Sequence, residues 1–170
     1  MKKSADSVEQ LVEDWTRERP ELDVSALGLF VRVNRLSAHM TKRAEQWLAQ
    51  LDLTWESFSL IVTLRRAGKP FELRPGKLLS LSLLTSGAIT NRIDRVEKQG
   101  LVERHRYPDD RRGVVVRLTP AGRVLADKAI ALHLDHLKEL LSPLDPKDHK
   151  RANEILSKLL LNFESLPDEA

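Results

Sequence analysis

The stretch "TSGAITNRIDRVEKQG", residues 85–100, decides the fold because it holds the start, the buried face and the end of one helix. Thr85 is a good N-cap, and Gly100 suits the left-handed turn that ends a helix. Apolar residues recur between them at helical spacing, at Ile89, Ile93 and Val96. This pattern predicts a helix over about 86–99 that packs on the rest of the protein through its apolar face.

The opposite face of this predicted helix is polar. It combines hydroxyls, an amide and guanidinium groups, which are the side chains that contact phosphates, adenine and guanine in a DNA major groove. The residues from which we expect DNA contacts are Ser86, Thr90, Asn91, Arg92 and Arg95. Taken alone, such a face is also typical of an ordinary solvated helix.

A basic hairpin is predicted directly after this helix, in "LVERHRYPDDRRGVVVRL", residues 101–118. Two β-rich runs flank "PDDRRG", whose proline, aspartates and glycine favour a turn. Arg111 or Arg112 at this turn would reach an adjacent minor groove, where guanidinium groups bind the negative potential of narrow A·T segments. Asp110 is expected to pair with Arg112 and fix its direction. The alternative is a surface hairpin with a weak ion pair.

The helix and the hairpin together indicate a winged helix-turn-helix. Shorter helices predicted at about 54–67 and 75–82 complete a lobe of residues 54–118. Residues 5–50 and 119–165 flank this lobe with helices that carry apolar stripes. A second copy of the chain would bury such stripes, so we expect these segments to be the dimerisation helices of a homodimer.

The fold class that follows is mainly α with a small β-hairpin wing, in a single domain of residues 1–170. Asp23 is expected to cap the long helix that precedes the lobe. Later helices have cap residues at Thr54, Thr119 and Asp145.

The composition excludes several other classes. The 28 Lys and Arg residues against 25 Asp and Glu leave a net charge of +3, so a polyanion must meet a local patch rather than the whole surface. The chain has no cysteine, which excludes disulfides, thiolate metal sites and thiol peroxide sensors. It has no apolar run suited to a membrane span or a signal peptide, so a cytoplasmic protein with no membrane partner is expected.

The sequence offers no catalytic set, so we expect neither enzyme activity nor a cofactor. It contains no glycine-rich phosphate loop and no nucleophile elbow, and its five histidines are scattered. His133 and His136 share a helix face, with Asp135 and Glu139 nearby, which raises zinc as a rival effector. Two histidines without a third fixed ligand are weak support, so no metal site is expected.

The core of the sequence resembles the MarR family, the multiple antibiotic resistance type regulators. The resemblance rests on "LLTSGAITNRIDRVEKQGLVERHRYPDDRRGVVVRLTPAG", residues 83–122, and the helix order extends it over nearly the whole chain. It implies a dimeric winged-helix transcription factor that binds a pseudo-palindromic site on double-stranded DNA, usually as a repressor that a small ligand releases. It also implies that Asp110 and Arg112 form the clamp pair of the wing.

The extra amino-terminal helix is similar to that of the urate-responsive members of the family. Trp15, Arg66 and Arg104 match the ligand residues of those members, whereas Ser59 stands where they have an aspartate. A tryptophan can stack on a ring while two arginines pair with its charge, so the ligand expected here is a small anionic aromatic acid. The alternatives are that Trp15 only packs and that Arg66 is a helix-end cation.

Two further classes stay open on the sequence alone. An architectural DNA-binding protein, or a regulator without a small-molecule effector, would have the same polar helix and wing. A winged-helix protein adaptor would keep the fold without binding nucleic acid. Preference for one site over random DNA separates a regulator from an architectural protein.

Overall fold

The computed structural model describes residues 5–82, 85–107 and 110–166, apart from the side chains of residues 107 and 110–112. Its helices are α1 (Ser7–Glu18), α2 (Leu27–Leu48), α3 (Trp55–Arg66), α4 (Pro75–Ser80), α5 (Ser86–Lys98), α6 (Pro120–Leu141) and α7 (Pro146–Ser165), with a 3-10 turn at Ala49–Leu51. Its strands are β1 (Glu72–Leu73), β2 (Val102–Tyr107) and β3 (Asp110–Leu118). This architecture confirms the predicted fold class. No helix within the described ranges is long and apolar enough to cross a membrane.

The predicted cap residues account for most of the helix starts. The hydroxyls of Thr54, Thr85 and Thr119 accept hydrogen bonds from backbone N–H groups in the first turns of α3, α5 and α6. The carboxylate of Asp145 does the same for α7. Each cap satisfies a backbone donor that the helix itself leaves free, so local sequence fixes where these helices begin.

The prediction that Asp23 caps the long helix is wrong. Its carboxylate accepts a hydrogen bond from the Ser25 N–H at 2.9 Å, which stabilises a turn before the helix. The Leu27 N–H donates to the Val24 carbonyl and closes that turn. Helix α2 then begins at Leu27 without a side-chain cap. Aspartate favours such bonds two residues along the chain, and here they compete with capping.

The wing hairpin belongs to a three-stranded antiparallel sheet with the order β1-β3-β2. The sequence predicted β2 and β3 and gave no sign of β1, because a two-residue strand has no periodicity. Glu72 of β1 lies opposite Arg117 of β3. Their side chains form an ion pair, with Arg117 Nη2 2.6 Å from Glu72 Oε2. The third strand therefore ties the wing to the segment between α3 and α4.

One hydrophobic core joins the sheet to α3, α5 and α6. The predicted apolar face of α5 lies in this core, where Ile89, Ile93 and Val96 are all 5% exposed or less. Ile61 and Leu64 of α3 are fully buried in the same cluster. Burial of this kind fixes α5 as a rigid body whose polar face points outward.

A tight junction joins the end of α5 to the start of α6. Gly100 has a φ of 71°, and its carbonyl accepts a hydrogen bond from the Thr119 hydroxyl at 2.8 Å. The Thr119 N–H donates to the Leu101 carbonyl at 3.1 Å. Gly122 lies so close that a Cβ there would be 1.9 Å from the Leu101 carbonyl oxygen. Glycine is therefore required at position 122 because the Leu101 backbone approaches it closely, and not because of its φ angle.

The amino-terminal helix α1 lies against α2 through a polar and an apolar contact. Asp6 caps α1, and its Oδ2 lies 2.7 Å from Nε of Arg32. Ser7 contacts the Arg35 guanidinium, and Val8 is buried. The hydrogen bond from Arg32, followed by that from the Val8 N–H, lowers the pKa of Asp6 to about 2. The carboxylate therefore stays charged throughout the neutral range and holds the two helices together.

The outer helices leave a large apolar surface uncovered in the single chain. No described residue of α7 is buried. Exposed apolar side chains include Leu29, Val33, Leu36 and Met40 on α2 and Ile155, Leu156, Leu160 and Leu161 on α7. Phe30 and Phe163 meet edge to face, with ring centroids 6.2 Å apart. Most of these side chains belong to the apolar stripes that the sequence assigned to dimerisation.

Candidate nucleic-acid interface and ligand cleft

The outward face of α5 presents most of the polar residues predicted to contact DNA. Ser86, Thr90, Asn91 and Arg95 are exposed. The Thr90 hydroxyl donates to the Ser86 carbonyl at 3.1 Å, which leaves both lone pairs of its oxygen available to an outside donor. The amide of Asn91 and the guanidinium of Arg95 lie one helical turn apart and face the same side.

Arg92 differs from the other predicted contacts because it is only half exposed. It lines a small recess with Ser59 and Leu81, between α5, α3 and the segment after α4. The carboxylate of Glu56 lies within electrostatic range of Arg92. Hydrogen bonds from its own backbone N–H and from the Thr54 hydroxyl lower the pKa of Glu56, and the charges of Arg92 and Arg95 add to this effect.

Arg104 at the start of the wing joins β2 to α5. Its backbone N–H donates to a Glu97 carboxylate oxygen at 3.0 Å. Its guanidinium pairs with both Glu97 and Asp94. Burial works against the charged form, and the two carboxylates outweigh it, so the pKa of Arg104 is raised. This contact was not predicted from the sequence, where its only signal is a pair of carboxylates three residues apart, at Asp94 and Glu97.

The wing places its basic residues at the start of β3. Asp110 lies opposite Tyr107, and the ladder is irregular after Arg106. The side chains of Asp110, Arg111 and Arg112, and hence the predicted clamp pair, lie outside the described residues. The backbone nonetheless puts this segment at the far end of the hairpin, whose other end is joined to α5 by Arg104.

A cleft of about 590 Å³ lies between α3 and α6, and it contains two of the four predicted ligand residues. Ser59 and Arg66 line it. Trp15 instead lies 48% exposed along a separate groove on α1. Arg104 does not line the cleft, because its guanidinium is paired with α5. Within the described chain, the predicted ligand set is therefore not brought together at one place.

The two histidines proposed as zinc ligands lie in an aromatic cluster. The His136 ring stacks on Trp47, with centroids 4.3 Å apart and an interplanar angle of 12°. His133 packs among Trp47, Trp55 and Phe58. Burial, with a smaller effect from the charge of His136, lowers the pKa of His133. Across the described ranges, no group of three or more suitable side chains could hold a metal ion.

Comparison with known proteins places these features in a family. The sequence pattern of the MarR family matches residues 53–114, which span the lobe from before α3 into β3. The chain is 29% identical over 147 residues to the HTH-type transcriptional regulator PecS of Dickeya dadantii, covering 85% of this chain and 89% of PecS. It is 34% identical over 118 residues to the multiple antibiotic resistance protein MarR of Escherichia coli, covering 68% of this chain and 78% of MarR.

Solved structures give the same result. A mutant MarR from Escherichia coli complexed with operator DNA superposes with a TM-score of 0.70 at 25% identity, covering 86% of this chain and 97% of that one. Sco3205, a MarR-family regulator from Streptomyces coelicolor in complex with DNA, has a TM-score of 0.75 at 21% identity, covering 88% and 92%. Helix α5 and its wing thus define a winged helix-turn-helix protein. The chain belongs to the MarR family of transcriptional regulators.

Proposed function

We propose that the chain represses transcription as a homodimer that binds a pseudo-palindromic operator, and that a small anionic aromatic acid releases it. The observation that carries the proposal is the exposed polar face of α5 beside a basic wing, held in one orientation by Arg104. Its relatives PecS and MarR are transcriptional regulators, and a MarR structure contains operator DNA.

The residues that read DNA divide into two groups. Asn91 and Arg95 on α5 have the donors and acceptors that distinguish bases in the major groove. Ser86 and Thr90, together with Arg92 at the edge of the face, suit phosphate contacts. Residues 110–112 of the wing would follow the adjacent minor groove, with Asp110 directing the Arg112 guanidinium.

The dimer rests on the uncovered apolar surface of α2 and α7. Side chains such as Leu36 and Leu160 are more than half exposed in the single chain. Burying them against a second copy would be favourable by roughly 25 cal/mol for each Å² of apolar surface removed from water. A two-fold dimer presents two copies of α5, which predicts half-sites about ten base pairs apart.

The ligand site is the cleft between α3 and α6. It offers an exposed guanidinium at Arg66 for an acid group, the Ser59 hydroxyl for a hydrogen bond, and the Phe58 ring for aromatic contact. Trp15 and Arg104 stay sequence-based predictions for this site, because no contact within the described chain joins them to it. Urate is one candidate among anionic aromatic molecules.

The test is fluorescence anisotropy at fixed physiological salt, with a duplex chosen by selection from a random pool and a scrambled duplex as control. We expect the selected duplex to bind at least about a thousandfold tighter. Benzoate, 2-hydroxybenzoate and urate are the probes, and at least one should weaken operator binding. Equal binding of both duplexes would favour an architectural protein, and selective binding that no probe weakens would favour a regulator without such an effector.

A further inference from the structure

We propose that the ion pair between Arg65 and Asp127 is a latch, which an anion bound in the cleft weakens; this inference rests on the ligand-released function proposed above. Arg65 belongs to α3, in the DNA-reading lobe, and Asp127 belongs to the flanking helix α6. Arg65 Nε lies 2.6 Å from Asp127 Oδ1. The latch therefore ties the lobe to the helix that we assign to dimerisation.

The latch lies inside the cleft and is open to solvent. Arg65, Arg66 and Asp127 all contribute to the cleft wall. The side chains of the pair are 37% and 50% exposed, so a dissolved anion reaches them without any unfolding. A carboxylate that binds in the cleft meets the two guanidinium groups and the Asp127 carboxylate together.

The charges of the cleft favour one added anion. Asp127 neutralises Arg65. The guanidinium of Arg66 is exposed and makes no hydrogen bond or ion pair with any residue in the part of the chain that the structure describes. His133, at the inner wall, is held neutral near pH 7 because burial lowers its pKa. Two guanidinium groups against one carboxylate leave one uncompensated positive charge, which attracts a monoanion.

The same charges make the ligand and the latch competitors. Arg65 and Arg66 are neighbours that both line the cleft. An anion bound at Arg66 therefore also attracts the Arg65 guanidinium, and it repels the Asp127 carboxylate. Binding free energies are reciprocal, so the latch weakens ligand binding by the factor by which the ligand weakens the latch. Asp127 thereby couples ligand binding to the α3–α6 contact, although it is not itself an attractive partner for the ligand.

A second contact keeps Arg65 in place when the latch opens. The Arg65 guanidinium carbon lies 4.9 Å from the centre of the Phe71 ring, a distance at which a cation is attracted to an aromatic face. Phe71 follows α3 and its carbonyl accepts a hydrogen bond from Leu118 of β3, so this contact stays within the lobe. Opening the latch therefore removes the polar contact between α3 and α6 at the cleft, whereas the hydrophobic core that they share keeps both helices packed together.

The decisive variant is Asp127→Asn, which keeps the side-chain size and removes the charge. We expect its operator affinity without ligand to fall by about threefold, and its affinity for 2-hydroxybenzoate to rise by about threefold. The factor by which 2-hydroxybenzoate weakens operator binding should fall towards one. If Asp127 were purely structural, its replacement by asparagine would not make the protein bind the anion more tightly and also make the anion less able to release the operator.

Two controls accompany this variant. Asp135→Asn removes a carboxylate from the same helix, one that pairs with Lys138 on the solvent side, and should change none of the three quantities. The double variant Arg65→Asp, Asp127→Arg reverses the ion pair and should restore operator affinity without ligand. That result would show that the double variant folds and that the ion pair itself supports operator binding. Isothermal titration with 2-hydroxybenzoate and anisotropy with the operator provide the measurements.

The outcomes separate the latch from the function on which it rests. If 2-hydroxybenzoate releases the wild-type protein and Asp127→Asn equally well, the latch is overturned and ligand release stands. If none of the three probes releases the wild-type protein, ligand release and the latch are both overturned. Tighter anion binding with reduced release in Asp127→Asn, and in that variant alone, supports the latch.

Discussion

The backbone N–H of Arg104 donates to the Glu97 carboxylate at 3.0 Å, so the first wing strand is joined to α5 six residues after that helix ends at Lys98. The Arg104 guanidinium strengthens this joint through ion pairs to Glu97 and Asp94. The wing and the helix therefore have a fixed relative orientation before any DNA is bound. Preorganisation of this kind lowers the cost of ordering both elements on a duplex.

Arg104→Gln tests this joint. The variant should bind its operator several-fold more weakly, because the wing and α5 lose their fixed orientation, and should bind anionic aromatic probes as well as the wild type does. Anisotropy with the operator and calorimetry with 2-hydroxybenzoate measure the two effects. The reverse pattern, with normal operator affinity and lost probe binding, would return Arg104 to the ligand site that the sequence predicted.

Asn91→Ala and Arg112→Ala should differ in kind. Loss of the Asn91 amide removes a base-reading group and should relax sequence preference, with a cost of about 1–3 kcal/mol at the base pair it reads. Loss of Arg112 should weaken binding to all duplexes and reduce the salt dependence of binding by about one charge. Anisotropy titrations at several salt concentrations, with operator and scrambled duplexes, measure both. Identical, uniform losses would contradict the division of roles.

His133 predicts a pH dependence of folding stability. Its pKa is lowered in the folded protein, first by burial and then by the charge of His136, from an ordinary value of 6.5. Below pH 6.5 the unfolded chain therefore binds a proton that the folded chain does not, and the free energy of unfolding falls as pH falls. Urea unfolding at pH 7.5 and 5.5 measures the loss.

His133→Phe is the matched variant, because a phenyl ring fits the cluster of Trp47, Trp55 and Phe58 and cannot titrate. It should show a smaller loss of stability between pH 7.5 and 5.5 than the wild type. An unchanged loss would assign the pH dependence to other groups.

Gly122→Ala should be severely destabilising, by about 3 kcal/mol or more, because overpacking against backbone cannot be relieved by rotating a side chain. A Cβ at this position would lie 1.9 Å from the Leu101 carbonyl oxygen. Gly87→Ala is the control, since a Cβ there meets nothing within 4 Å on α5. It should leave stability unchanged or raise it by up to about 1 kcal/mol. Thermal unfolding of both variants checks the contrast.

The sequence predicts the parts of this fold that depend on neighbouring residues. Thr85 and Thr119 were found as caps because a hydroxyl and its backbone donor lie within one turn. The prediction failed at Asp23, where two local hydrogen-bonding arrangements compete and the backbone decides between them. The winged architecture could be predicted because the helix and the hairpin follow each other in the sequence and each shows its own periodicity of apolar residues.

The candidate site was predicted less completely, because its contacts join distant parts of the chain. Arg65 and Asp127 are 62 residues apart, and no pattern in either helix announces their pairing. Arg104 was assigned to a ligand by family resemblance, whereas its contacts are with α5. Most of the polar face of α5 could be predicted because one helix carries it, and Arg92 is the exception because it is only half exposed.

Helix α7 has a consequence for how the protein responds to its own concentration. Twenty residues form this helix and none of the described ones is buried, while most of the stability of a helix in a protein comes from the packing of its apolar face. In the proposed homodimer this packing comes from the second copy, so dilution should unwind the carboxyl-terminal helix before the core melts. The amount of protein present in a cell would thus set how much of the chain is folded at its end.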